Sequence, residues 1–308
     1  MKINIVSHIG AGGNTGKKTL KSLLEYCDKK SISYSVNISE YKGHTIELVK
    51  KLSTENEKLV LIGGDGTLHE AVNALKMIDS KKPIAYLPSG IGNDFARELK
   101  ITSNPEKFID SLLKLEAPEE LEIIKFTNLN SDNVGYSINS IGFGIDAIII
   151  YLSSVSTGKS LLKKMGLGKL SYFHYIVSAV RKHKNFDVAL EINNKEYRFD
   201  NCILALVTNH PYFGGGVKID PHSTSNNNEL GFVVANEIKF TDLVMILYRI
   251  LKFGDHFERY EKINRLGSAS MIVKTRVPQY IQADGESQSP EIINMKFELE
   301  KYPFWICR

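Results

Sequence analysis

Only three cysteines occur in the 308 residues, at Cys27, Cys202 and Cys307, too few and too far apart for a disulfide framework or a metal-ligand set. They read as ordinary buried thiols, and the eight histidines show no metal-ligand spacing either. Long apolar runs are also missing, since nothing approaches the roughly 20 residues needed to cross a bilayer. The opening "MKINIVSHIGAGG" reads as a short strand running into a glycine turn rather than a signal peptide, so a cytoplasmic location is expected. No internal repeat or low-complexity tract interrupts the chain. Excess charge is scarce too, at a net +4, but seven Lys or Arg and no Asp or Glu stand between Tyr151 and Lys184, leaving the remainder at about −3. With 43% hydrophobic residues the chain can bury a core of real size, which excludes disorder, and its length suits two domains.

Two grammars divide the sequence. Residues 1–120 alternate short apolar runs ("KINIV", "KLVLI", "PIAYLP") with helical spacing at Leu20, Leu23, Leu24, Cys27 and at Leu68, Ala71, Val72, Leu75. Asn104 and Pro105 predict the capped start of a further helix. Strand followed by helix, repeated, predicts a parallel sheet with helices on its faces and ligands beyond the carboxyl ends of its strands. Residues 121–308 instead alternate apolar and polar with period two, as in "FDVALEI" and "INMKFEL", with "CILALVT", "LGFVVA" and "ASMIVKT" as further strands. The expected fold is therefore an α/β domain followed by an all-β, sandwich-like domain with helical insertions at 159–184 and about 240–253. The C-terminal end is expected to return toward the first domain.

Chemistry concentrates in glycine turns. "AGGNTGKKT" near the N-terminus is not a Walker A loop, because Ala11 and Lys18 occupy positions that need Gly and Ser or Thr. It still presents backbone N–H groups and Lys17 to an anion. "LVLIGGDGTLHEAV" is more telling: Gly63, Gly64 and Gly66 open the backbone, Thr67 is expected to cap the next helix, and Asp65 places a carboxylate amid an anion cradle. That carboxylate makes sense if Mg²⁺ lies between it and phosphate oxygens. "LPSGIGNDFAREL" repeats the arrangement, with Gly90, Gly92, Asn93, Asp94 and, one helical turn on, Arg97. Two such loops at equivalent strand ends predict a nucleoside triphosphate site.

"GGDGTLHEAVNAL", "PSGIGNDFAREL", "NSIGFGIDA" (139–147), "FGGGVKIDP" (213–221) and "ADGE" (283–286), in that order, resemble the diacylglycerol kinase and sphingosine kinase superfamily in its small soluble bacterial form. The resemblance implies a nucleotide-binding domain of the NAD kinase/diacylglycerol kinase type, a sandwich domain carrying the lipid site, and transfer of the ATP γ-phosphoryl group to a lipid hydroxyl, most simply diacylglycerol giving phosphatidic acid. Residue by residue, it implies that Lys17, Gly63, Gly64, Gly66, Thr67, Gly90, Gly92, Asn93 and Arg97 hold ATP, and that Asp65 and Asp94 organise Mg²⁺. Asp146 falls near the acceptor hydroxyl and Glu286 is the general base, with Asp284 either orienting it or serving the turn. The chain departs from the pattern at His8-Ile9, at Ile91, where a Thr is common, and at Asn226 and Asn227, where relatives with a structural Mg²⁺ carry aspartates. A second metal site there is expected to be weak or absent.

The basic, aromatic-rich segment 156–184 suits an interfacial helix drawn to anionic lipid, so peripheral membrane contact is expected. No nucleic-acid module accompanies it. A sheet edge or the segment 240–253 offers a homodimer surface. The alternatives are an NAD kinase, which shares the GGDGT turn, and a non-catalytic lipid-binding or regulatory relative.

Overall fold

The computed structural model describes residues 2–155, 178–179, 182–238, 242, 246, 249 and 256–308. The basic segment expected at 156–184 and the helix expected at 240–253 therefore lie largely outside the described residues.

The first unit comprises β1 (Lys2–Ser7), α1 (Thr15–Lys29), β2 (Ser33–Ile38), α2 (His44–Leu52), β3 (Lys58–Gly63), α3 (Asp65–Met77), β4 (Ile84–Pro88), α4 (Asp94–Leu99) and α5 (Pro105–Lys114). Its strands are parallel in the order β2-β1-β3-β4. β1, β3 and β4 are buried on both sides, which is why they read as unbroken apolar runs. Leu68, Ala71, Val72 and Leu75 of α3 pack on one face of the sheet, and Leu20, Leu23 and Cys27 of α1 pack on the other with Phe108 and Leu112 of α5. Asn104 caps α5 as expected, its Oδ1 accepting from the N–H groups of Glu106 at 2.9 Å and Lys107 at 3.0 Å. The sequence patterns did not predict β2, an edge strand with Ser33, Ser35 and Asn37 on one face and Tyr34, Val36 and Ile38 on the other, so that it has no apolar run.

The second unit is antiparallel. It contains β5 (Glu119–Asn128), β6 (Val134–Ser137), β7 (Ser140–Gly144), α6 (Ile145–Val155), β8 (Phe186–Ile192), β9 (Lys195–Thr208), β10 (Tyr212–Phe213), β11 (Val217–Lys218), β12 (Leu230–Asn236), β13 (Ile263–Ser268), β14 (Ser270–Thr275), β15 (Gln279–Ala283), β16 (Glu286–Glu291) and β17 (Asn294–Trp305). Period-two alternation places Phe186, Val188, Leu190, Met271, Val273 and Phe297 in one shared core, as a sandwich requires. All three cysteines are buried and unpaired, and burial pushes the Cys27 thiol up to about 11.

One strand joins the two units. β17 runs antiparallel to β14 and β5 and then, at Phe304 and Trp305, pairs in parallel with Ile84 and Ala85 of β4. Tyr302 and Phe304 enter the same core as Tyr86 and Phe95. That pairing is at the amino end of β4, while at the carboxyl ends, where the glycine turns lie, the sandwich meets the first unit through Gly215 N–H on Asp94 and Asp284 on His69.

Candidate active site

The three turns after β1, β3 and β4 interlock through their backbones. A Cβ on Gly90 would stand 2.6 Å from the Cα of Gly64, and one on Gly12 would stand 2.4 Å from the Ser89 carbonyl oxygen. Glycine is needed where main chains approach this closely. Each neighbouring strand also leaves a polar atom behind: the hydroxyls of Ser7 and Ser89, at the ends of β1 and β4, are buried without a partner. Buried polar atoms ordinarily find partners, so two orphaned hydroxyls at one rim favour a polar ligand there.

Thr67 does not cap α3. The helix begins one residue after Gly64, which is its extended N-cap residue, so Thr67 lies inside the first turn with its side chain folded back over Gly63. Asp65, the first helical residue, turns outward instead. Its carboxylate accepts from the N–H groups of Asp94 at 3.1 Å and Phe95 at 3.4 Å, so it sits at the N-termini of both α3 and α4. Burial, helped by the neighbouring Asp94 charge, still pushes its pKa up to about 6 against those N–H bonds.

Asp94 reaches across to the sandwich. One carboxylate oxygen accepts from Gly215 N–H at 2.8 Å, and the other is buried with no hydrogen-bond partner. Arg97 donates to the Gly92 carbonyl at 3.1 Å and lies over the Tyr212 ring, so it braces this junction. Asn93, expected to reach nucleotide, has its amide engaged at home: Oδ1 accepts from Gly90 N–H and Nδ2 donates to the Gly90 carbonyl, both at 3.0 Å. Lys17, in the first turn of α1, is exposed, and its ammonium has no partner among the described residues.

The sandwich contributes its own carboxylates. Asp284 is fully buried and accepts from Ser137 Oγ (2.7 Å), the N–H groups of Ile138 and Asn139 (2.8 Å each) and Ser140 N–H (3.2 Å). His69 Nδ1 of α3 lies 2.7 Å from its other face. Burial alone would raise the Asp284 pKa, but His69 and the ring of donors outweigh it and hold the group below the usual carboxylate range. Asp284 therefore fixes the turn, and no bond among the described residues joins it to Glu286.

Asp146, in the first turn of α6, is pushed by burial up to about 7. It accepts from Gln282 Nε2 at 3.3 Å, and its second oxygen has no partner. The Gln282 side-chain Oε1 in turn accepts from Gly285 N–H at 2.9 Å, so a polar chain leads from Asp146 to the turn that bears Glu286. Glu286 opens β16 with Oε1 beside Gly66, where a Cβ would stand 3.5 Å away, and Oε2 2.6 Å from Lys42 Nζ.

Between the units lies a cavity of about 130 Å³ lined by Asp65, Asp94, Asn139, Tyr212, Gln282 and Asp284. The side-chain amide oxygen of Asn139 is buried without a partner, and the second Asp94 oxygen, buried without a hydrogen bond, has only the Arg97 guanidinium 3.7 Å away. A larger surface groove of about 280 Å³ over Val188 and Ala189 is lined by Arg198 and Lys274, already paired with Glu196 and Glu191. The smaller cavity, rimmed by orphaned acceptors and glycine turns, is the better candidate site.

Asp65 and Asp94 also suit a divalent cation, which is typically held by one or two carboxylates with water and phosphate completing the shell. Around Asn226 and Asn227 the cation at hand is a side chain: Arg265 Nε donates to both oxygens of Asp220 at 2.9 Å, and its Nη2 to Glu229 at 2.7 Å. Sequence reasoning missed Lys42, Gln282 and the two orphaned serines. Ser7 and Ser89 had a signal, each being a polar residue that ends an apolar strand just before a glycine turn. Lys42 had none.

Residues 2–125 match the family described as "Diacylglycerol kinase catalytic domain", and residues 139–298 match "YegS C-terminal NAD kinase beta sandwich-like domain". The "Putative lipid kinase YtlR" of Bacillus subtilis is 27% identical over 287 residues, covering 90% of each chain. A Staphylococcus epidermidis protein named "Putative lipid kinase" is 28% identical over 276 residues, or 86% of this chain and 82% of that one. A Bacillus anthracis crystal structure titled as a "putative diacylglycerol kinase" superposes with a TM-score of 0.74 at 21% identity, covering 100% of this chain and 97% of that one.

Proposed function

Because this chain belongs to the family that joins a diacylglycerol kinase catalytic domain to a YegS-type sandwich domain, we propose that it is an ATP- and Mg²⁺-dependent lipid kinase acting on a neutral lipid alcohol, diacylglycerol first among them. The observation that carries this reading is the placement of Glu286, a sandwich carboxylate, against Gly66 in the glycine turn of the first unit. A proton acceptor and a phosphate cradle from separate units thereby share one cleft.

In this reading the N–H groups of Gly64 to Gly66 and of Ile91 and Gly92, with the hydroxyls of Ser7 and Ser89, receive the phosphates, Gly63, Thr67, Gly90 and Asn93 shape the two turns, and Lys17 adds a positive charge from α1. Asp65 and Asp94 would hold Mg²⁺, which when bound neutralises phosphate charge. Asn93, Arg97 and Asp284 act on the ligand indirectly by fixing the loops. The lipid hydroxyl enters from the Asn139 and Gln282 side, where the Asn139 side-chain oxygen lacks a donor. Glu286 takes its proton as the oxygen–phosphorus bond forms and the bond from the γ-phosphorus to the leaving ADP oxygen breaks. A positioned general base contributes about 10²- to 10⁴-fold, while alignment and charge neutralisation supply most of the rest.

Among the described residues no helix is long and apolar enough to cross a membrane. The basic excess between Tyr151 and Lys184 supports contact with an anionic bilayer surface, worth about 1 kcal/mol per basic residue near the surface. The test is transfer from labelled ATP, with Mg²⁺, to diacylglycerol, sphingosine, phosphatidylglycerol or NAD presented separately. Label in diacylglycerol is expected. Label only in NAD, or in none of the four, would remove the lipid-kinase reading.

A further inference from the structure

Lys42 stands on the loop between β2 and α2, 244 residues from its partner Glu286. That loop is ordered on several sides. Ser39 N–H donates to the Ser7 carbonyl at 2.8 Å, and Gly43 N–H donates to the Glu70 carboxylate at 3.2 Å. The Tyr41 ring stacks on His44 with centroids 4.4 Å apart, and the Tyr41 hydroxyl donates to Glu47 at 3.1 Å. The ammonium is thus delivered to Glu286 by a braced segment of the nucleotide side of the cleft.

As a fold-stabilising contact the pair counts for little, because the Lys42 side chain is 81% exposed and exposed ion pairs contribute weakly. Its location suggests another purpose. Glu286 presents one oxygen to Lys42 and the other to Gly66, within the turn whose N–H groups suit phosphate. An uncompensated carboxylate there would repel the incoming polyanion. The bond to Glu286 also raises the Lys42 pKa above its ordinary value, so the ammonium keeps its charge.

We propose that Lys42 is a positioning residue that neutralises Glu286, allowing the carboxylate to remain beside the phosphate-binding turn while nucleotide is bound. The inference rests on the lipid-kinase reading of this cleft. Lys42 then influences nucleotide affinity through Glu286 rather than by touching phosphate, and the two residues are energetically coupled.

A double-mutant cycle on ATP binding with Mg²⁺, followed by calorimetry without any lipid, tests this. Lys42→Met is expected to weaken binding about three- to fivefold, the range of an exposed ion pair. Lys42→Arg, which preserves the charge, should bring affinity back to near the wild-type level. In a Glu286→Gln background the same Lys42→Met change should leave affinity unaltered, and thermal melts of each variant verify an intact fold. Equal weakening in both backgrounds, or none when Glu286 is present, overturns the proposal. The two readings fail separately: wild-type protein that binds ATP and phosphorylates lipid but gives an additive cycle defeats only the role of Lys42. Wild-type protein that binds no ATP defeats both.

Discussion

His69 on α3 and Asp284 in the turn between β15 and β16 meet at 2.7 Å, binding the helix that follows the glycine turn to the strand pair that carries Glu286. Each shifts the other's protonation, with His69 raised above its ordinary value and Asp284 lowered.

The pair sets a pH window for stability. The His69 contribution is complete below about pH 6.5, the unfolded histidine value, and is lost as pH rises through its higher folded value. The Asp284 contribution is complete above about pH 4 and is lost as pH falls through its lower folded value. Denaturant midpoints measured from pH 4 to 9 should therefore decline on the alkaline side, and His69→Gln should flatten that decline. Asp284→Asn strands a buried ring of donors and should cost about 3 to 5 kcal/mol.

Asp146 titrates with the sign of His69 and opposite to Asp284. Its folded value of about 7 lies above the unfolded value of about 4, so folding disfavours the ionised form and stability falls between those two pH values. Asp146→Asn, a mimic of the protonated acid, should match wild type at pH 4 and exceed it in melting temperature at pH 8. Identical melting curves at pH 8 would show that the carboxyl is not buried as described.

Glu286→Gln should reduce phosphoryl transfer by about 10²- to 10⁴-fold with an unchanged melting temperature. Asp65→Asn should lose activity without losing stability at pH 8, because an amide oxygen still accepts from the N–H groups at the start of α4 and burial already raises the Asp65 pKa to about 6, so folding disfavours the charge that the variant removes. Full activity in either variant contradicts the assigned role.

Gly90→Ala tests the junction of the turns. The added methyl would lie 2.6 Å from Gly64 Cα and 2.8 Å from Asn93 Oδ1, so main chain must move. About 1 to 3 kcal/mol of destabilisation is expected, together with a raised KM for ATP, measured by steady-state kinetics at saturating lipid.

Much of this arrangement was legible from the chain alone, for reasons that differ by element. β1, β3 and β4 announce themselves because strands buried on both faces must be apolar throughout, whereas β2 at the sheet edge is half polar and offers only three apolar residues, none of them adjacent. Asp65, Gly90 and Asp94 were readable because glycine and carboxylate at a strand end have few other purposes. The side-chain bonds of Asn93 were not readable, since an amide can face a ligand or its own loop with equal ease. Nor was the contact of Lys42 with Glu286, because a pairing across 244 residues leaves no local periodicity.

The route of β17 bears on how the protein is made. Among the described residues β4 gains its outer neighbour only from Phe304 and Trp305, so the parallel sheet stays incomplete until that segment has left the ribosome. Synthesis at about 5 to 20 residues per second imposes a delay of roughly ten seconds or more between the emergence of β4 and its pairing. Through that interval the outer side of β4 has no partner strand, so completion of the first unit is coupled to synthesis of the second.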